Sequence, residues 1–208
     1  MSARLQSRGE LGGPEPNEFG GPKEAYSQGV MLCGALSLLL AASTGLRVPL
    51  LGGGKAQVFP SDAAKGVVVF YVITGCPNAQ AYVPEMNRIA KVYGPKGWRF
   101  YLDNTDLSPD PKRMRKDARQ FGYAFPTLYG SAQLVKLGRA TNSPEAAVFS
   151  PAGALLYHGR IDDRFYALGK ARLAARTHDL RDALDEIDEG EAVKHPVTPV
   201  VGCILPSG

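Results

Sequence analysis

The chain has 208 residues, with 24 Lys and Arg against 20 Asp and Glu and a net charge of +4. Its 44% hydrophobic and 21% charged residues are the balance of a folded globular chain and exclude a wholly disordered one. Charges of both signs are interspersed, with no Lys/Arg stripe interleaved with aromatics, so a nucleic-acid partner is not expected, and three cysteines without a C-x-x-C pair exclude a disulfide scaffold and a zinc knuckle.

Residues 1–29 are rich in Gly, Pro and Glu and lack apolar periodicity, which predicts disorder. Val30 to Ala42 is an uncharged apolar run, too short for a spanning helix and of the length of a signal-peptide core, with small residues after it. The segment before it is not net positive. Two readings stand: an export signal or membrane anchor, placing the protein outside the cytoplasm or tethered through Val30–Ala42, and a short buried helix packed on the domain. On the first reading, residues 1–43 are expected to be dispensable for folding, whereas a loss of stability on removing them would indicate the packed helix; residues 44–190 are expected to form the domain.

Beyond Gly45 the pattern is α/β. "RVPLLGGGKAQVF" reads as two short strands around a glycine turn. Gly66 to Thr74 is a continuous β-branched and aromatic run, the mark of a central strand buried on both faces. A helix follows from Pro77 to about Tyr93, with Met86, Ile89, Ala90 and Tyr93 on one face and Pro84 inside it as an expected kink. Trp98 to Asn104 is a second strand. The next helix carries Asp110 as N-cap, Pro111 in its first turn, Met114, Ala118 and Phe121 inward and Gly122 as its stop. "AQLVKLG" is a short helix or turn. A hairpin turns at Pro151 to Gly153, and a last amphipathic helix directs Leu180, Leu184 and Ile187 inward before Gly190. The tail, residues 191–208, holds too many prolines to be helical.

Cys76 stands where the apolar strand ends and a helix begins with Pro77. A thiol there faces the positive end of the helix dipole and unpaired N–H groups, which favour thiolate, the form that attacks disulfides and peroxides. The alternative is a buried, inert cysteine. Glu85 on the same helix is a candidate proton acceptor or a solvated charge. Arg160, in "GRIDD" with Asp162 and Asp163, is a candidate thiolate stabiliser or half of a structural ion pair. His158, His178 and His195 are scattered, and no metal site is expected.

The order strand, Cys-Pro helix, strand, helix, "SPE", hairpin, helix resembles the thioredoxin fold, and within it the redoxin family of alkyl hydroperoxide reductases, thiol-specific antioxidant proteins and membrane-tethered thiol–disulfide reductases. "VVVFYVITGCPNAQAYVPEMNRIAKVYGPKGWRF" is similar to the family's strand, active-site turn and first helix. "TNSPEAAVFSPAGALLYHGRIDD" is similar to its cis-proline loop and hairpin. The resemblance implies a three-layer α/β sandwich with a central mixed sheet flanked by helices. It implies Pro144 as the cis-proline, with Ser143 and Glu145 beside the sulfur, and no cofactor. Ala79 occupies the place of the second cysteine in the reductase pattern. Cys203, in the apolar "VVGCILP", then becomes the expected partner of Cys76; the alternative is a packed tail with an idle thiol. The twelve residues between Gly190 and Cys203 span about 40 Å when extended at ~3.3 Å per residue, enough to cross a small domain.

The expected function is a thiol-based oxidoreductase: Cys76 attacks a protein disulfide or a peroxide, Cys203 resolves the product, and an electron donor that the sequence does not name restores the thiols. A peroxidase proper and a redox-inactive binding module on the same scaffold are the alternatives.

Overall fold

The computed structural model describes residues 45–206. Val30–Ala42 and Cys33 lie outside them, as does the expectation that residues 1–43 are dispensable. In chain order the elements are β1 (Leu46–Pro49), β2 (Lys55–Phe59), β3 (Gly66–Val72), α1 (Pro77–Tyr93), β4 (Trp98–Asn104), α2 (Pro111–Phe121), β5 (Thr127–Tyr129), α3 (Ala132–Gly138), β6 (Asn142–Ser143), β7 (Glu145–Phe149), β8 (Leu155–Gly159), β9 (Phe165–Ala167), β10 (Lys170–Ala171), α4 (Asp179–Asp188) and β11 (Cys203–Ile204).

All seven residues of β3 are buried, and the strand is the centre of a five-stranded sheet of order β5-β4-β3-β7-β8. β4 runs parallel to β3, β5 runs parallel to β4, and β7 and β8 are antiparallel, so the sheet is mixed. The two-residue period of β3 divides the core. Val68, Phe70 and Val72 pack with Tyr82, Met86 and Ile89 of α1 and Leu180 and Leu184 of α4. Val67, Val69 and Tyr71 pack with Val48, Val58 and Phe59 of the β1–β2 hairpin and Leu134 of α3. These are the three layers expected from the sequence.

The helices begin and end where local chemistry dictates. The Asp110 carboxylate accepts the Lys112 N–H at 2.9 Å and caps α2, with Pro111 in the first turn, where a missing N–H costs nothing. Gly122 follows α2 at φ 72°, a conformation that favours glycine. The Ser131 hydroxyl caps α3, which resolves "AQLVKLG" as a helix. Pro84 sits inside α1, which continues through it as a single helix. The sequence reading omitted β5, β6, β11 and the β9–β10 hairpin, all two or three residues long and too short to display a period.

The tail is an ordered part of this fold. The His158 N–H donates to Pro196 O at 2.9 Å and the Thr198 N–H donates to His158 O at 3.2 Å, laying the chain along β8. The Thr198 hydroxyl lies 2.7 Å from the Tyr157 hydroxyl and accepts the Arg160 N–H at 3.1 Å. Further on, β11 pairs antiparallel with β6, the Leu205 N–H donates to Thr141 O at 2.8 Å, and Leu205 enters the second core at 6% exposure.

Asp103 of β4 is the discordant residue in this core. It is fully buried between Tyr71 of β3 and Leu128 of β5, and neither carboxylate oxygen has a hydrogen-bond partner among the described residues. Burial alone raises its pKa to about 8. An acid raised above its unfolded value contributes fully below the unfolded pKa, about 3.9, and loses that contribution as pH rises to the folded value. Stability should therefore fall between pH 4 and pH 8, with a limiting slope of about 1.4 kcal/mol per pH unit. Asp103→Asn should flatten this dependence and gain stability relative to wild type as pH rises, measured by denaturant unfolding across that range.

Candidate functional site

The site is built at the carboxyl end of β3. Gly75, at φ 81°, turns the chain out of the strand, and Cys76 takes the N-cap position of α1 with extended backbone, its own carbonyl accepting the Gln80 N–H at 3.0 Å. Pro77 occupies the first turn. The turn is held from below by a buried polar network. Asp106 accepts the Thr74 N–H at 3.0 Å, the Asn104 amide donates to the Thr74 hydroxyl at 2.7 Å, and Asn104 Oδ1 accepts the Asp106 N–H at 3.1 Å. Arg113 of α2 donates to Thr74 O at 3.5 Å, which sets a guanidinium over the same turn.

Ser143 and Pro144 form the opposite wall, and their peptide bond is cis. The Ser143 hydroxyl accepts the Ile73 N–H at 2.9 Å, and its carbonyl lies 3.4 Å from Cys76 Sγ. Glu145 stands behind this wall rather than at the sulfur. Its carboxylate accepts the N–H groups of Thr141 and Asn142 at 2.8 and 3.0 Å and lies 3.3 Å from His158 Nδ1. It therefore shapes the backbone of β6.

Cys203 Sγ lies 2.9 Å from Cys76 Sγ, though 127 positions separate the residues. The approach follows from strand pairing: Cys203 is the register partner of Ser143. Gly202 makes that pairing possible, because a Cβ at this position would run into the Ser143 carbonyl. The Asn142 amide adds a bond to Gly202 O at 3.3 Å.

The two thiols are electrostatically unequal. Burial pushes the Cys76 thiol up, but hydrogen bonds from the Cys203 thiol, the Ala79 N–H and Ser143 outweigh it, and its pKa lies below the ordinary thiol value. Burial, the hydrogen bond to Cys76 and the charge on Cys76 raise Cys203 to about 11. The first proton leaves Cys76, and the Cys203 S–H is then the donor between the two sulfurs.

The other residues singled out in the sequence lie elsewhere. Glu85 is tied to Arg181 of α4 at 2.7 Å and to Arg88, and it joins α1 to α4. Arg160 donates to both oxygens of Asp179 at 2.9 and 3.0 Å, which is the structural ion pair rather than a thiolate contact. Asp162 accepts the Tyr82 hydroxyl and Asp163 accepts the Arg176 and Thr177 N–H groups, so "GRIDD" organises its own loop. His178 precedes α4 and His195 is exposed in the tail. The arginine beside the cysteine turn is Arg113, which the sequence reading missed because it arrives from α2.

No protein-family model matches the chain. It is 29% identical over 164 residues to the tRNA dimethylallyltransferase of Nitrosococcus oceani, a match covering 72% of this chain and 48% of that protein. The chain thus spans about half the length of that curated relative. Among solved structures, an uncharacterized conserved protein from Geobacillus kaustophilus is 25% identical at a TM-score of 0.65, covering 79% of this chain and 92% of that one. A hypothetical protein from Sinorhizobium meliloti 1021 is 22% identical at a TM-score of 0.67, with the same coverage of 79% and 92%. A secreted disulfide oxidoreductase of Mycobacterium tuberculosis aligns at 14% identity and a TM-score of 0.47, over 68% of this chain and 95% of that one. The mixed sheet of order β5-β4-β3-β7-β8, with a cis-proline facing the cysteine turn, gives the thioredoxin-like fold.

Cys203→Ala removes the nearest donor to Cys76 and should raise the Cys76 pKa. An ultraviolet titration of thiolate absorbance should show the low-pH step of wild type moving to higher pH, while Arg160→Gln leaves that step in place.

Proposed function

We propose that the protein is a thiol-based oxidoreductase in which Cys76 and Cys203 form one dithiol–disulfide couple, assembled from distant positions. The observation that supports it most is the 2.9 Å approach of the two sulfurs. With Ala79 in the first helical turn, the chain has no neighbouring cysteine to resolve an intermediate on Cys76, and β11 delivers one instead.

The chemistry has two steps. Cys76 thiolate attacks the oxidant. A peroxide ROOH transfers one oxygen, giving Cys76 sulfenic acid and, with a proton, ROH; a disulfide RSSR gives Cys76–S–S–R and releases RS⁻. Cys203 then attacks the Cys76 sulfur. Water leaves in the first case and a second RS⁻ in the second, and a Cys76–Cys203 disulfide remains in both. Two equivalents of an external thiol, RSH, return the protein to the dithiol and leave as RSSR. The thiol order suits this sequence: the lower-pKa sulfur attacks first and is the better leaving group when the disulfide is reduced.

Stoichiometric hydrogen peroxide or diamide followed by peptide mapping should yield one Cys76–Cys203 cross-link. Cys76→Ser should abolish it, and Cys203→Ser should leave Cys76 as sulfenic acid or mixed disulfide. Persistent free thiols at both positions would refute the reading and favour a redox-inactive binding module, and a cross-link through Cys33 would refute the pairing of Cys76 with Cys203.

A further inference from the structure

The couple just described leaves its oxidant open between a protein disulfide and a small molecule. We infer that the docked tail is the specificity element of the site, admitting small oxidants to Cys76 and shutting out protein disulfides. This inference rests on the dithiol reading above.

Three observations carry it. Cys76 is only 4% exposed, and the residues that close over its sulfur are Ser143 on one side and Cys203 on the other. Attack on a disulfide needs a nearly linear arrangement of three sulfurs, and in a protein both outer groups are continued by chain. No such chain fits beside a sulfur whose open side is already filled by β11. A peroxide or a short aliphatic disulfide brings far less bulk.

Second, the edge that a protein substrate would use is taken. An extended, cysteine-bearing segment does pair with β6 beside Cys76, and it is this chain's own, with Cys203 opposite Ser143 and Ile204 opposite Asn142. An incoming strand must displace it before forming the same backbone bonds.

Third, the tail is fastened at two separate points. Leu205 is the buried foot beyond Cys203, and Thr198 is the buried clasp before it, bonded to Tyr157 and Arg160. Gly159 accommodates the clasp, since a Cβ there would run into Thr198. Ile204, by contrast, is 82% exposed, so the strand presents one face to solvent and keeps the other over the thiol. A tether of this kind makes the in-chain cysteine a far more concentrated competitor than any partner protein.

The test uses the full chain with Cys203→Ser, which removes the resolving sulfur and traps adducts on Cys76. Two disulfides are offered, 2-hydroxyethyl disulfide and insulin, and adducts are assigned to Cys76 by peptide mass. With the tail docked, Cys76 should take the small disulfide and not insulin. Adding Gly202→Val, which forces β11 off β6, should raise the rate with insulin roughly tenfold or more while the small disulfide gains much less. Leu205→Asp, which expels the foot, should act in the same direction and serves as the second release variant. Insulin reacting with the docked protein as fast as the small disulfide, or no gain on release in either variant that remains folded by circular dichroism, overturns the inference alone. Absence of any adduct on Cys76 from either disulfide, together with no sulfenic acid at Cys76 after hydrogen peroxide, overturns the dithiol reading itself, and the inference falls with it.

Discussion

The antiparallel pairing of two residues, Cys203 and Ile204, with the strand before Pro144 is the contact on which the site depends. It brings a thiol from near the end of the chain to the helix end that activates Cys76. Pairing fixes position where a flexible tail would only raise concentration. The strand's backbone bonds, the absence of a side chain at Gly202 and the burial of Leu205 together determine where the Cys203 sulfur stands. A C-x-x-C pair obtains the same proximity from one helical turn. Here the whole domain supplies it, because β6 must be placed by Glu145 and β3 before β11 has an edge to join.

That dependence links the proposed redox chemistry to folding. The bond from Ile73 to the Ser143 hydroxyl and the network of Thr74, Asn104 and Asp106 hold the two walls of the site on the central strands. The Cys76 turn and the Ser143 wall are therefore anchored to the most buried part of the molecule. Proximity also creates the inequality between them. A hydrogen bond shared by two thiols stabilises whichever thiolate forms first, and that thiolate then opposes ionisation of its neighbour. Cys76 starts ahead because Ala79 and Ser143 also donate to it. The order of ionisation thus follows from the Ala79 N–H at the helix end and the Ser143 side chain, and the partner sulfur amplifies it.

Much of the fold was legible in the sequence because its signals are local and long. The uninterrupted run of β3, the apolar faces of α1 and α4 and the capping residues of α2 state their structures without reference to the rest of the chain. The elements that were not legible are short. β6 and β11 have two residues each and exist only because they pair with one another; neither has a pattern of its own. The site was legible in part for the same reason. Cys76 announces itself by the strand–helix junction, and the apolar foot of the tail signals that it docks. Of the two readings of Arg160 the structure shows the ion pair, with Asp179, while nothing local to Arg113 reveals that α2 passes over Thr74. Glu145 was picked from its adjacency to Pro144, but its work is with the amides of β6.

The buried carboxyl of Asp103 shows where the polar logic of the domain stops. Asn104 and Asp106, at the end of the same strand and just beyond it, are fully engaged in holding the cysteine turn, and their bonds are to named groups. Asp103 faces the opposite layer, where the Tyr71 hydroxyl already donates to Leu134 O and the rest of the cluster is aliphatic and aromatic. Strand alternation forces this outcome, because a residue between two inward-facing neighbours of one layer must enter the other. An apolar residue would suit that position better for stability. The carboxyl is kept neutral instead by its surroundings, and it makes the second core, which also receives Leu205, sensitive to pH. A rise in pH from about 4 to about 8 therefore weakens the layer in which the foot of the tail is seated, and the hold on Cys203 weakens with it.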